Sequence, residues 1–297
     1  MTVTVAAVND VPTIANLGSD SFTFTEGAAA TVIDQSTAAV LADVDSSNFA
    51  GGNLTVTITS GEDSAEDVLS LSTSGTVALA SASANANVSV GNTVVGTLAN
   101  AIAAGNDLVV NLNGNATAAN VQTLVRAITY QNTDTDNPTA GARTVRVTVN
   151  DGDGGTSANA DVTVTVAAVN DAPVVSGAGA TLAYTENASA TVIDADLTLS
   201  DVDSNNLTGA TVTISGNFRS GGEDVLAFTA ASGSNITGSF NNSTGVLTLS
   251  GTTTKALYEQ TLESVTYQNT SDNPSTSART ISWQVNDGSG ANNLSSA

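Results

Sequence analysis

One phrase of sequence occurs twice and limits what the rest can be. Thr2 to Pro12 reads T-V-T-V-A-A-V-N-D-V-P, and Thr163 to Pro173 reads T-V-T-V-A-A-V-N-D-A-P. Alternating valine and threonine is the pattern of a half-buried β-strand. It runs into a short acidic linker closed by proline. A strand, a carboxylate hinge and a fresh start, met twice, point to modules in tandem.

Other anchors follow in the same order in both copies. Thr25-Glu26 returns as Thr185-Glu186, and Thr31-Val32-Ile33-Asp34 as Thr191-Val192-Ile193-Asp194. Asp43-Val44-Asp45 returns as Asp201-Val202-Asp203, and Glu66-Asp67-Val68-Leu69 as Glu223-Asp224-Val225-Leu226. Tyr130-Gln131-Asn132-Thr133 returns as Tyr267-Gln268-Asn269-Thr270, and Val149-Asn150-Asp151-Gly152 as Val285-Asn286-Asp287-Gly288. The stretch between Asp67 and Tyr130 is longer than its counterpart. The surplus is placed near residues 77–104, where Val88-Ser89-Val90 and Thr93-Val94-Val95 read as an added hairpin. The resulting division is residues 1–8 as the last strand of a preceding module or a donor strand, 9–169 as module 1, and 170–297 as module 2 lacking its final strand. The chain is therefore read as a piece of a longer protein.

Strand patterning dominates. Thr55 to Ile58, Thr211 to Ile214, Arg143 to Val149 and Arg279 to Val285 alternate with period two, and Gly, Asn and Ser separate such runs. Two segments break the pattern at matching places. Val121, Leu124, Val125 and Ile128, and again Tyr258, Leu262 and Val265, have helical spacing. Each module is expected to carry one short helix. Trp283 lies on an inward-reading strand position and is expected in the core. Glu66-Asp67 and Glu223-Asp224 are read as solvated turns, with metal ligation as the alternative. The Tyr130 to Pro138 and Tyr267 to Pro274 segments are read as structural turns, with a further metal ligand as the alternative.

Composition excludes several functions. The chain has 28 acidic and 6 basic residues, a net charge of −22, which repels nucleic acid and anionic membrane surfaces. No stretch approaches the length of a membrane helix. Histidine and cysteine are absent, so His-based triads and His/Cys zinc sites are excluded. Carboxylates, amides and backbone carbonyls remain. These are ligands for hard cations, and Ca²⁺ takes six to eight such oxygens. Four groups of candidates recur in register. They are Asp201-x-Asp203 with Asn205-Asn206, matched by Asp43-x-Asp45 with Asn48; Glu186 and Glu26; Asn170-Asp171 and Asn9-Asp10; and Asp287-Gly288 and Asp151-Gly152-Asp153. A bland reading stands beside each, since Asp-Gly is a common turn and a D-x-D pair a common solvated loop.

The order T-E-N-A-S-A-T-V-I-D, L-S-D-V-D-S-N-N, V-N-D-G, V-T-V-T-V-A-A-V-N-D-A-P resembles the cadherin repeat, in the bacterial cadherin-like form found in large repetitive adhesins and surface proteins. The resemblance implies an all-β fold of two tandem immunoglobulin-like Greek-key sandwiches with calcium at the junctions. By that analogy the central junction would use Glu26, Asn170, Asp171, Asp201, Asp203, Asp287 and Asn206. Asn9, Asp10, Asp43, Asp45 and Asp151 would face an N-terminal site, and Glu186 a following module. The acid that usually opens the family's linker is replaced by Ala168 and Ala7, so one or two ions are expected. The implied function is a non-enzymatic, calcium-stiffened extracellular spacer at a bacterial surface, with neighbouring copies as partners and no small-molecule substrate. The alternative is a filament, sheath or surface-layer subunit joined head to tail by donation of residues 1–8.

Overall fold

The alternating segments do form strands in the computed structural model, which describes residues 1–179 and 181–297. The chain divides into unit 1, Met1–Val169, and unit 2, Asn170–Ala297. Both are all-β with one short helix each.

Unit 1 contains β1 (Thr13–Ala15), β2 (Ser21–Thr25), β3 (Thr31–Val32), β4 (Val40–Ala42), β5 (Asn53–Ser60), β6 (Asp67–Leu71), β7 (Val77–Leu79), β8 (Asn87–Val90), β9 (Thr93–Leu98), β10 (Leu108–Leu112), α1 (Ala118–Ala127), β11 (Ile128–Asn132), β12 (Gly141–Asn150) and β13 (Ala160–Ala167). The main sheet has the order β2-β13-β12-β5-β10-β9-β8-β7. A three-stranded sheet, β3-β11-β6, and a small pair, β1-β4, complete the sandwich-type layers. Strand β2 runs parallel to β13, whereas the other pairs are antiparallel. Valines 88 and 94 fall on β8 and β9, which pair as a hairpin next to the edge strand β7.

Unit 2 contains β14 (Val174–Ser176), β15 (Thr191–Val192), β16 (Thr198–Ser200), β17 (Asn206–Gly216), β18 (Asp224–Ala227), β19 (Thr237–Asn241), β20 (Val246–Thr254), α2 (Lys255–Glu263), β21 (Thr266–Asn269) and β22 (Thr280–Asn286). Its sheets are β19-β20-β17-β22, β15-β21-β18 and β14-β16.

Period-two alternation sorts side chains to the two faces of each strand. On β12 and β13, Val145, Val147, Val149, Val162, Val164 and Val166 are buried, while the threonines between them face outward or are half-buried. In unit 2, Val212, Ile214, Leu247, Leu249, Val285 and Trp283 make the matching layer, and Trp283 is only 5% exposed. The helices close the cores with Val121, Leu124 and Val125, and with Tyr258 and Leu262. Both start at a threonine that caps the third helical N–H: Thr117 accepts from Asn120, and Thr254 from Leu257.

The pairs Glu66-Asp67 and Glu223-Asp224 are not solvated turns at their second member. Asp67 and Asp224 are sealed in the core, 1% and 0% exposed. Each opens an edge strand of a three-stranded sheet, whose central neighbour, β11 or β21, carries a tyrosine and an asparagine facing it. Tyr130 and Tyr267 donate to these carboxylates at 2.5 and 2.6 Å, and Asn132 and Asn269 at 3.2 and 2.8 Å. Arg143 and Arg279 supply the countercharge at 3.1 and 2.9 Å. The recurring Y-Q-N is thus strand rather than turn, and it exists to satisfy a buried acid. Only the residues after it, from Thr133 and Thr270, leave the strand.

Candidate functional site

The linker pairs Asn-Asp sit where two acid-bearing loops of their own unit meet. In unit 1 the Asn9 amide donates to Asp151 Oδ2 at 2.9 Å, and the Asp10 backbone N–H donates to Asp45 Oδ2 at 3.1 Å. In unit 2 the Asn170 amide donates to Asp287 Oδ2 at 2.8 Å, and the Asp171 N–H donates to Asp203 Oδ2 at 2.5 Å. These two linker bonds recur in both units. Sequence reasoning expected the linker residues as oxygen ligands, yet each reaches its acid through an N–H.

The D-x-D loops are shaped by their first aspartate. Asp43 Oδ1 accepts the N–H groups of Asp45 and Ser46 at 3.2 and 3.0 Å. Asp201 Oδ1 accepts those of Asp203 and Ser204 at 3.0 and 2.8 Å. This is the local side-chain-to-backbone bond that makes Asp a loop former. It bends the chain so that the second acid faces the linker. The other oxygen of each first aspartate, Asp43 Oδ2 and Asp201 Oδ2, is buried with no hydrogen-bond partner. A buried anionic oxygen without a partner is costly.

The D-G turns work differently. Asp151 is fully buried and Asp287 nearly so. Burial would raise the Asp151 carboxyl, but the Asn9 amide and the N–H groups of Gly155, Asp153 and Gly154 outweigh it and hold its pKa below the ordinary value. Asp287 Oδ1 accepts the Ser289 N–H at 2.6 Å. In unit 2 the Asn170 ring of contacts is wider: Ser289 Oγ donates to its Oδ1 at 2.7 Å, and Asn292 Nδ2 to its backbone carbonyl at 2.9 Å.

The remaining candidates stand apart. Glu26 follows β2, and its Oε2 accepts the Val169 N–H at 2.7 Å within unit 1. Glu186 is exposed. Asn206 opens β17 and is exposed. Among the described residues no three acidic side chains converge tightly enough to form a ready-made metal cage. The donor set is nonetheless all oxygen, and two buried carboxylate oxygens have no hydrogen-bond donor. A hard cation fits these needs. The residues that would hold it are Asp201, Asp203 and Asp287 in unit 2, and Asp43, Asp45 and Asp151 in unit 1.

No family model matches the chain. Over 112 residues it is 38% identical to Halomucin of Haloquadratum walsbyi, a match covering 37% of this chain and 1% of that protein. The chain therefore spans a very small part of that relative's length. Among solved structures, it is similar to the C-terminal domain of the Streptococcus pyogenes antigen I/II-family protein AspA, with a TM-score of 0.26, 11% identity and coverage of 96% of this chain and 97% of that one. The chaperone-tip adhesin complex of CFA/I fimbriae gives a TM-score of 0.28 at 12% identity, covering 96% and 99%. Scores this low carry no argument about the fold, which rests on the strand pairing described above.

Proposed function

We propose that this chain is a non-enzymatic extracellular surface module of cadherin-like type, in which calcium at the acidic linkers stiffens a tandem array. The observation that carries the reading is the repeated orphan. Asp43 Oδ2 and Asp201 Oδ2 are buried without a donor at the same place in both units. A divalent cation would relieve both. When bound, calcium supplies the positive charge that neighbouring carboxylates lack, since like charges about 4 Å apart repel by about 1–4 kcal/mol in watery to surface-like dielectric. Asp201, Asp203 and Asp287 would hold the ion in unit 2, with Asn170 and Asp171 beside them. Asn9, Asp10, Asp43, Asp45 and Asp151 would do the same work at the first linker, and Glu186 for a following module.

The match to a small stretch of the much longer Halomucin suits a repeated module of a large surface protein. The net charge of −22 suits a cation-rich exterior. Thermal unfolding with calcium and with chelator, alongside small-angle X-ray scattering, tests the reading. Calcium should raise Tm and lengthen the particle; no change in either would discard it.

A further inference from the structure

The two helices occupy matching places but begin with different residues. The repeat aligns Thr117 with Thr254, Val121 with Tyr258 and Gln122 with Glu259. The last pair does the same work in each unit: Gln122 Oε1 accepts the Leu41 N–H at 3.1 Å, and Glu259 Oε2 accepts that of Leu199 at 2.8 Å. On this alignment Ala118, the first residue of α1, corresponds to Lys255, the first of α2. Lys255 is the chain's single lysine, and it is half-buried. It stands at the unfavourable end of a helix, because a positive charge in the first turn meets the positive pole of the helix dipole. Capping does not account for it, since Thr254 already caps α2.

The ammonium accounts for the placement. Lys255 Nζ donates to the Asp201 backbone carbonyl at 2.5 Å, and the Lys255 N–H donates to the Asn205 carbonyl at 2.9 Å. Both ends of the lysine are thus fixed to the D-x-D loop of unit 2. Among the described residues no ion pair joins it to Asp201 or Asp203, and Asp201 Oδ2 is still without a donor. Unit 1 differs. Ala118 brings no charge to the Asp43 loop, and the basic residue of α1, Arg126, lies in its last turn and donates to the Ala39 carbonyl. Among the described residues the Asp43 loop buries two oxygens without partners, Asp43 Oδ2 and Ser46 Oγ, where the Asp201 loop buries one.

We propose that Lys255 sets the affinity of the unit 2 linker for a divalent cation, its tethered charge weakening the hold of Asp201, Asp203 and Asp287 on the ion. The inference rests on the calcium reading above and adds to it the residue that tunes the site. A unit positive charge about 6 Å from a dication lowers its affinity about tenfold even at the dielectric of water, and further where water is excluded. The same charge offsets part of the repulsion among the acids while no ion is bound. Unit 2 therefore carries an internal cation beside its loop, whereas the Asp43 loop of unit 1 depends on an external one. The alanine at position 118 and the second orphaned oxygen at Ser46 point the same way.

Calorimetric titration of the whole chain with calcium chloride tests this. An Asp43→Asn background reads unit 2, and an Asp201→Asn background reads unit 1. In the first, Lys255→Ala, which copies unit 1, should tighten calcium about tenfold. Lys255→Gln keeps a donor for the Asp201 carbonyl without the charge, so it should tighten calcium nearly as much and holds the loop if alanine loosens it. In the second background, Ala118→Lys should weaken calcium by a similar factor. Potassium chloride screens charge, so raising it should narrow the gap between lysine and glutamine at position 255. Equal calcium affinity with lysine, alanine and glutamine would overturn the inference and leave the calcium reading standing. Weaker binding in both variants would make Lys255 a support of the loop, and tightening by alanine alone would trace the effect to the carbonyl; either overturns its charge as the cause. No calcium binding by the parent chain or any variant would remove the calcium reading and this inference with it.

Discussion

Arg143 Nε lies 3.1 Å from Asp67 Oδ2, with both side chains closed off from water. Tyr130 and Asn132 complete the carboxylate's shell, and the Asp63 N–H donates to it at 2.7 Å. Breaking a buried pair by removing one partner strands the other charge and costs about 3–5 kcal/mol, whereas apolar replacement of the set is far milder. Asp67→Ala should therefore lower the denaturation free energy of unit 1 by about that amount. The triple change Asp67→Leu, Arg143→Met, Tyr130→Phe should be closer to the parent than Asp67→Ala. Guanidinium titration followed by circular dichroism makes the comparison.

Unit 2 repeats the arrangement, and there it sets a pH dependence. Burial would raise the Asp224 carboxyl, but Arg279, Tyr267, the Arg219 N–H and Asn269 together hold its pKa below the ordinary 3.8. The unfolded chain, with the higher value, binds the proton first. Stability from this group is therefore complete above about pH 4 and is lost as pH falls through the folded value. The Trp283-monitored transition should hold its midpoint from pH 7 to 5 and drop below about 4. Asp224→Asn should start less stable and show a shallower drop over the same range.

These buried aspartates mark the limit of what sequence reading reaches. Strand and helix were legible because period two and helical spacing are local: Val145, Val147 and Val149 announce their face, and Tyr258 and Leu262 theirs. An aspartate ahead of an apolar strand looks the same in a turn as in a core. Its partners, Tyr130, Asn132 and Arg143, are distant in the chain and are brought to it only by pairing of β6 with β11 and packing against β12. A signal was present, since two of the chain's six basic residues occupy matching places, Arg143 and Arg279, in a protein otherwise poor in positive charge. At the linkers, recurrence picked out the residues but not the polarity of their contacts. An Asn-Asp pair offers oxygens and N–H groups alike, and the fold, not the spacing, turns Asn170 and Asp171 N–H first toward Asp287 and Asp203.

Asp201 lets loop shaping be tested apart from the proposed ion binding. Its Oδ1 holds the loop by accepting two N–H groups, while its Oδ2 is buried and without a donor. Asn at this position keeps one carbonyl oxygen for the loop and removes the negative charge. In chelator, Asp201→Asn should change Tm little. With calcium at 100 times its dissociation constant, a single site adds about 2.7 kcal/mol to the parent. The variant should lose most of that gain. Paired melts with and without calcium read the difference, and an equal calcium response in both proteins would place the ion elsewhere.

Gly155 tests how tightly the first linker is built. Its N–H donates to Asp151 Oδ1 at 2.9 Å, and its carbonyl accepts the Asp151 N–H at 3.0 Å. A methyl added here would lie 2.2 Å from Asp151 Oδ2 and 2.9 Å from Asn9 Nδ2. Neither separation is tolerable, so Gly155→Ala must drive the carboxylate from its seat and break the Asn9 bond. Leaving a buried acceptor unsatisfied costs about 1–3 kcal/mol, and more for a charged one. Gly114→Ala is the control, since a methyl there meets nothing within 4 Å and the backbone is not left-handed. Urea denaturation should show a clear loss for Gly155→Ala and none for Gly114→Ala. Amide exchange should show the Asp10 N–H, which is bonded to Asp45, losing protection in the first variant alone.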